Sequence, residues 1–190
     1  MISGYYDNNE LLEMGFISVG KNVSVSKKAS IYNCEKIVIG DNVRIDDFCV
    51  LSGRISFGSH IHIANFCLLA GGDEGITMDD FSGLAYGCYV FTRSDDYSGQ
   101  TLTNPQIPEK YRNKTIKDPI KIGKHSICGT NTIILPGANI AEGTSTGAFT
   151  LVTKPTEPWG IYSGIPAKRI KDRKTELLLQ EEQFLEEYRD

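Results

Sequence analysis

A six-residue repeat dominates the sequence from Ile122 to Thr153. A period of six fits neither the 3.6 of a helix nor a plain alternating strand, and it is typical of a parallel β-solenoid. We therefore predict one short strand and one tight corner per unit, with three units forming a coil and the opening residues pointing inward. The units open at Ile122, Cys128, Ile134, Ile140, Thr146 and Val152, with small second places at Gly123, Gly129, Ala141 and Gly147 and small fifth places at Ser126, Thr132, Ala138, Thr144 and Thr150.

The same repeat occupies much of the N-terminal half. It opens at Val19, takes a two-residue insertion, and runs from Ile39 to Leu69 without a slip. After a break, residues 76–92 form a looser coil. Residues 93–119 then show no period, and an insertion of this length is more often functional than accidental. The inward residues predicted for the looser coil are Phe81, Leu84 and Val90.

These boundaries predict a single, mainly β domain over residues 1–190. A lead-in (1–18) precedes the β-helix coils (19–92 and 120–153), a protruding loop (93–119) interrupts them, and a C-terminal extension (154–190) follows. The extension ends in a segment with apolar residues at helical spacing, so we predict an α-helix packed on the solenoid or on a neighbouring subunit, with its glutamates in solvent. The apolar residues are Leu177, Leu178, Phe184, Leu185 and Tyr188.

Composition excludes several classes of partner. Lys and Arg number 20 against 24 Asp and Glu, and no dense basic cluster suggests nucleic acid. No apolar run approaches the ~20 residues of a membrane span, and the first residues do not resemble a signal peptide. Five cysteines without a CxxC spacing favour a reducing cytoplasm and no disulfides. Cys49 and Cys67 both hold fifth places, so we expect them to stack in the interior.

The hexads, the long interrupting loop and the closing GIPAKRI resemble the hexapeptide-repeat acyltransferases. Within them, the chain is most similar to the sugar O-acetyltransferase branch that includes galactoside and maltose acetyltransferases. ELLEMGF, HIANFCLLAGG, SDDYSG, LTNPQIP and PWGIYSGIPAKRI further resemble enzymes that acetylate sugars during surface-polysaccharide assembly. The resemblance implies a left-handed parallel β-helix, acetyl-CoA as acyl donor, and a homotrimer with active sites between subunits. The histidines show no metal spacing, so we expect no metal.

The resemblance also places a CoA site on the C-terminal coils. Small residues there would let the pantetheine arm lie along the solenoid wall, although the corner itself also requires small residues. Residues after the last coil would close the groove, and two lysines would meet the 3′-phosphate. The wall residues are Gly129, Thr130 and Ala148, the closing residues are Thr153 and Lys154, and the lysines are Lys168 and Lys171.

For the acceptor site, the resemblance indicates Asn65 and Asp73 as substrate-binding residues, and Tyr97 is assigned to the same site. Acetyl transfer to a hydroxyl needs a general base. The family supplies a His at the start of the long loop, where this chain has Asp95 and Asp96. His62 holds the last place of its hexad and should point outward, so it is the leading candidate base. Either aspartate would orient it or act as the base itself.

The predicted function is therefore acetyl-CoA-dependent O-acetylation of a hydroxyl on a saccharide or nucleotide-linked sugar. One alternative is N-acetylation of a nucleotide-linked amino sugar, because an amine is nucleophilic enough for a weak base to suffice. The absence of the loop His favours this alternative. A catalytically inactive solenoid scaffold is the other alternative, and the motifs VTK and GIPAK oppose it because a scaffold would not need them.

Overall fold

The chain winds into a parallel β-solenoid, as the computed structural model of residues 4–188 shows. Residues 1–3 of the predicted lead-in and 189–190 of the predicted extension lie outside the described residues. Helix α1 (Asn8–Glu13) leads into the first coil. Asp7 caps it by accepting from the Glu10 amide, and the Glu10 carboxylate accepts from the Asp7 amide in return, which satisfies two free backbone donors. Its Leu11 is fully buried against the solenoid core.

The strands are short because each spans only one side of a coil. The first eleven are β1 (Ser18–Val19), β2 (Ser24–Val25), β3 (Ser30–Ile31), β4 (Ile37–Ile39), β5 (Val43–Ile45), β6 (Val50–Ser52), β7 (Ile55–Phe57), β8 (Ile61–Ile63), β9 (Leu68–Ala70), β10 (Ile76–Met78) and β11 (Gly83–Leu84). The rest are β12 (Tyr89–Phe91), β13 (Arg93–Ser94), β14 (Ile116–Lys117), β15 (Ile120–Ile122), β16 (Ile127–Cys128), β17 (Ile133–Ile134), β18 (Ser145–Thr146), β19 (Leu151–Val152), β20 (Gly160–Ser163) and β21 (Lys168–Asp172).

Three parallel sheets form the three faces of the solenoid. The first face is ordered β1-β4-β7-β10-β15, the second β2-β5-β8-β11-β16-β18-β20-β21, and the third β3-β6-β9-β12-β17-β19. Two antiparallel pairs depart from this pattern. Strand β21 returns beside β20 at the C-terminal end of the second face, and β13 pairs with β14 at the base of the protruding loop. The parallel β-solenoid predicted from the hexads is confirmed.

The repeat places its residues as the sequence predicts. The six opening residues of the C-terminal hexads are all buried, and so are the five small fifth residues. Cys49 and Cys67 are fully buried, each with Sγ 3.1 Å from a carbonyl oxygen of the next coil. In the looser coil Leu84 and Val90 point inward as predicted. The prediction for Phe81 is wrong: it lies at a corner with a φ of 56° and stacks on His60, with 4.6 Å between ring centroids.

Each corner is marked by a residue in the left-handed conformation, which the sharp turn requires. We name the corners by the faces that they join. The first corner joins the first and second faces, the second corner joins the second and third, and the third corner joins the third and first. The first corner has Asn22, Asn42, His60, Phe81, His125, Gly143 and Trp159, the second has Phe48, Phe66, Gly87, Asn131 and Phe149, and the third has Asn33, Gly53, Gly72 and Gly137.

Helix α2 (Leu177–Glu187) packs along the first corner, with the Phe184 ring edge-on to His60 at 5.1 Å between centroids. The prediction that its glutamates lie in solvent is wrong for Glu181, whose side chain is only 10% exposed. Its carboxylate contacts Lys124 Nζ at 2.5 Å and His125 Nε2 at 2.8 Å. Burial alone would raise the pKa of Glu181, but the hydrogen bonds from Lys124 and His125 outweigh it and lower the pKa. This ion cluster fixes α2 on the solenoid of its own chain.

Candidate active site

The second corner brings a predicted acceptor residue and predicted donor residues into one column. Gly87 N donates to the Asn65 carbonyl at 3.0 Å, Asn131 N donates to the Tyr86 carbonyl at 2.8 Å, and Phe149 N donates to the Thr130 carbonyl at 2.8 Å. These bonds align Asn65, Tyr86, Thr130 and Ala148 on successive coils. Since neighbouring coils are about 4.8 Å apart, Asn65 and Thr130 are separated by roughly 10 Å along the corner. A small acceptor and a thioester can therefore meet there.

Small residues line this column on its second-face side. A Cβ added to Gly129 would lie 2.6 Å from the Thr146 carbonyl oxygen and 2.9 Å from Ala148 N, so the packing of the next coil already excludes a side chain. A Cβ added to Gly147 would lie 3.0 Å from Ser163 Oγ and 3.8 Å from the Tyr162 carbonyl oxygen, the latter an ordinary contact distance. A side chain at Gly129 would therefore clash with the backbone of the next coil, whereas one at Gly147 would press only on the Ser163 side chain. Ala148 is exposed, which leaves the wall open to a ligand.

The two predicted phosphate-binding lysines lie on β21, at the C-terminal end of the second face. Lys168 lies opposite Ser163, whose side chain is beside Gly147, and Lys171 lies opposite Ile161. Every residue of this strand is exposed. Among residues 4–188, neither lysine has an ion-pair partner, so both charges are free to meet an anion. The donor groove suggested by the resemblance therefore fits the charge distribution at this end.

Thr153 and Lys154 do not join this column. They directly follow β19, where the chain leaves the third face and enters the third corner. The protruding loop also leaves the solenoid at the third corner, after β12. Asp73 lies there too, between β9 and β10, and its carboxylate pairs with Lys36 Nζ at 2.9 Å and Arg93 Nη2 at 3.0 Å. The sequence prediction therefore divides into two sets of residues, separated by the third face within one chain.

His62 points outward from β8 on the second face, as predicted, and its side chain is 54% exposed. Within this chain, its partner is not one of the predicted loop aspartates. Its Nε2 lies 2.7 Å from Asp46 Oδ2, one coil back, and neither loop aspartate is bonded to it. Asp46 also accepts from Arg44 Nε at 2.7 Å and Tyr5 OH at 3.0 Å. Burial alone would raise the pKa of Asp46, but these hydrogen bonds outweigh it and the pKa lies below its ordinary value.

The two loop aspartates have different surroundings. Asp96 accepts hydrogen bonds from the amide and hydroxyl of Ser98 at 2.8 and 2.6 Å, and from those of Thr101 at 2.8 and 3.2 Å. These bonds, those of Ser98 above all, lower the pKa of Asp96 to about 2. Asp96 therefore orders the loop and is a poor base, contrary to the prediction. In the described part of the chain, the Asp95 carboxylate accepts one long bond, from Asn104 N at 3.4 Å. Tyr97 beside them is 93% exposed.

Sequence reasoning missed Asp46. The signal was present, because a coil of eighteen residues places residues 44–46 beside residues 62–64, and Arg44 does pair with His62 in the parallel register of β5 and β8. The described residues contain no group of three or more His, Cys, Asp or Glu side chains that could hold a metal ion. Between residues 4 and 188, no helix has the length and apolar character that crossing a membrane requires.

A parallel β-solenoid with small wall residues, free lysines at its C-terminal end and a carboxylate-bearing loop agrees with the resemblance to hexapeptide-repeat acyltransferases. Comparison with known proteins agrees, although no family model matches the chain. The chain is 40% identical over 183 residues to the dTDP-4-amino-4,6-dideoxy-D-glucose acyltransferase of Escherichia coli, covering 95% of this chain and 94% of that protein. It belongs to the same family.

Solved structures support this assignment. AntD, an N-acyltransferase from Bacillus cereus in complex with dTDP and 3-hydroxybutyryl-CoA, is 43% identical and superposes over 100% of both chains with a TM-score of 0.96. A maltose O-acetyltransferase from Clostridium difficile is 24% identical, covers 86% of this chain and 73% of its own, and has a TM-score of 0.55. The latter likeness shows the fold alone. The hexapeptide-repeat acyltransferase fold is confirmed, whereas the sugar O-acetyltransferase branch is not.

Proposed function

We propose that this protein transfers an acyl group from a CoA thioester to the amino group of a nucleotide-linked amino sugar, forming an amide. The observation that carries the proposal is the superposition on an N-acyltransferase bound to dTDP and an acyl-CoA over the whole length of both chains. The Escherichia coli relative, named for a dTDP-linked 4-amino sugar, supports the same acceptor class. The interpretation first kept as an alternative therefore replaces O-acetylation as the main one.

The loop chemistry suits an amine. A neutral amine attacks the thioester carbonyl without prior deprotonation, and the tetrahedral adduct then loses a proton from nitrogen as the CoA thiolate leaves. A carboxylate suffices as the proton acceptor for that step, whereas a hydroxyl requires a stronger base. Asp95 is the loop carboxylate that can accept a further hydrogen bond, because both carboxylate oxygens of Asp96 already accept from Ser98 and Thr101. We assign Asp95 as the proton acceptor and Asp96 as a positioning residue.

The division of the predicted residues between two corners supports a site formed by two copies of the chain. The second corner carries Asn65, Thr130 and Ala148, and the third corner carries Asp95 and the rest of the loop. In a cyclic trimer, the second corner of one subunit meets the third corner of the next, so each site receives both sets. Light scattering should then give about three times 21.0 kDa. A species of 21.0 kDa that is fully active would disprove this assembly.

One observation favours a second function. His62 is held by the buried Asp46 at 2.7 Å, an arrangement that suits a general base for a hydroxyl. O-acetylation of a sugar hydroxyl therefore stays as the second candidate, with His62 as its base and Asn65 as an acceptor contact. An inactive scaffold is the third, and it predicts no CoA release with any acceptor.

Matched substitutions separate the candidates. Under N-acylation, Asp95→Asn lowers kcat roughly a hundredfold or more. Asp96→Asn, its neighbour and control, lowers kcat less, and His62→Gln leaves most activity. The assay follows CoA release with acetyl-CoA or 3-hydroxybutyryl-CoA and a dTDP-linked 4-amino sugar. If His62→Gln abolishes turnover while Asp95→Asn retains it, the assignment moves to His62 and the hydroxyl acceptor.

A further inference from the structure

Two exposed phenylalanines stack on each other at the second corner. Phe48 and Phe66 lie on successive coils, with 5.2 Å between ring centroids and 13° between ring planes. Their side chains are 51% and 57% exposed. Both residues have a positive φ, 62° and 67°, a conformation that a bulky side chain adopts at a cost. Since Asn22 and Asn42 serve the same turn at the first corner, the turn itself does not require a phenylalanine.

The aromatic residues of the first corner differ because the chain covers them. His60 and Phe81 stack at 4.6 Å between centroids, and Phe184 of helix α2 lies edge-on to both. Within residues 4–188, the ring contact of Phe66 is with Phe48. Lys28 Nζ lies over the Phe48 ring, 5.6 Å from its centroid, but no helix in the described part of the chain packs on the second-corner pair as α2 packs on the first-corner stack.

The next position along the corner carries no side chain of its own. Gly87 follows Phe66 on the adjacent coil, its amide donates to the Asn65 carbonyl, and its φ of 66° matches that of Phe66. Because glycine has no side chain, Gly87 places no ring on the face of Phe66 opposite Phe48, and the coils there are about 4.8 Å apart. This is the thickness that a third stacked ring requires.

A polar group borders the same space. A Cβ added to Gly87 would overlap Asn131 Oδ1, so the Asn131 amide reaches back over the glycine from the following coil. The amide offers both a donor and an acceptor. The space therefore has an aromatic face on one side and a two-way hydrogen-bonding group on the other. A ligand that matches both has a flat ring with polar edges, which describes a nucleobase.

We propose that Phe66, Gly87 and Asn131 form a nucleobase subsite, in which the base extends the Phe48–Phe66 stack and its edge hydrogen-bonds to the Asn131 amide. This inference rests on the proposed function, which supplies two nucleobases, that of the sugar nucleotide and the adenine of CoA. Asn65, the predicted acceptor residue, directly precedes Phe66, whereas Lys168 on β21 lies five strand spacings from β8, about 24 Å away, at the C-terminal end of the second face. The position favours the base of the sugar nucleotide.

Calorimetric titration with dTDP and, separately, with CoA tests the subsite without requiring turnover. Phe66→Ala should weaken dTDP binding roughly tenfold to a hundredfold and leave CoA binding unchanged. Phe66→Tyr keeps the aromatic face and should retain the wild-type affinity for dTDP. Gly87→Phe has a φ like those of Phe48 and Phe66, but its Cβ would displace the Asn131 amide, so the new ring and the moved amide together should abolish measurable dTDP binding. Tyr188→Ala, at the residue that follows helix α2, is the control for loss of an exposed aromatic ring.

Three results would overturn the assignment. Unchanged dTDP affinity in both Phe66→Ala and Gly87→Phe would exclude a base at this position. If these variants bind CoA more weakly but bind dTDP normally, the subsite binds the adenine of CoA instead. A fall in particle mass for Phe66→Ala would make the stack a contact between copies of the chain. If the wild-type enzyme acylates a dTDP-linked amino sugar but these substitutions leave its affinity for dTDP unchanged, the inference fails and the proposed function stands.

Discussion

Replacing Gly129 by alanine should destabilise the protein through the packing of its coils. The added Cβ would lie 2.6 Å from the Thr146 carbonyl oxygen, 2.8 Å from the Gly147 carbonyl carbon and 2.9 Å from Ala148 N. All three are backbone atoms of the next coil, so no side chain can rotate away. Overpacking of this kind costs about 1–3 kcal/mol. For a chain of this length each kcal/mol lowers Tm by roughly 2–4 °C, so we expect a fall of about 2–12 °C.

Gly147→Ala is the matched control, one coil further along the same corner. Its Cβ would meet Ser163 Oγ at 3.0 Å and Ser163 Cβ at 3.4 Å, and this hydroxyl can rotate. We expect a change within about 0.5 kcal/mol. Thermal unfolding followed by circular dichroism measures both variants. If Gly129→Ala melts with the wild type, or if both variants lose equal stability, coil packing is not what excludes a side chain at Gly129.

Two further predictions concern the donor and the C-terminal helix. Changing Lys168 and Lys171 together to alanine should raise the KM for acetyl-CoA at least tenfold, because each lysine loses a charge-assisted contact to the 3′-phosphate. The KM for the dephospho-CoA thioester, which lacks that phosphate, should change much less. Equal increases in KM for both donors would contradict the phosphate assignment. Glu181 has a lowered pKa, so its contribution to docking α2 is present above its ordinary value of 4.5 and is lost as the pH falls through the lower folded value. Protection factors in Leu177–Glu187, which correct amide hydrogen exchange for its intrinsic slowing at low pH, should therefore fall in Glu181→Gln at neutral pH and in the wild type on acidification. Protection factors unchanged by either would refute the ion cluster as the anchor.

The solenoid was predictable because its repeat is local. A six-residue period fixes which residues point inward, and the opening residues of the hexads from Ile122 to Val152 are all buried. The error at Phe81 came from judging bulk and ignoring register. Counted from Met78, Phe81 holds the fourth place of its hexad, as His60 and His125 do, and the fourth place is the corner.

The candidate site was harder to predict because it depends on which coils and corners lie together. Asn65 and Thr130 are far apart in sequence, and the protruding loop hides how few coils separate them. The roles of Asp96 and Asp46 are set by hydrogen bonds that a residue pattern cannot show. The burial of Glu181 likewise depends on where the helix docks.

The nature of the bond formed in the product tests the central claim most directly. The wild-type enzyme is given acetyl-CoA with a dTDP-linked 4-amino-4,6-dideoxyglucose or with the same sugar carrying a hydroxyl in place of the amine. Mass spectrometry before and after mild alkali then follows the acetyl group. N-acylation predicts one acetyl group, added only to the amino sugar and retained in alkali. Transfer only to the hydroxyl sugar, with release in alkali, would contradict it.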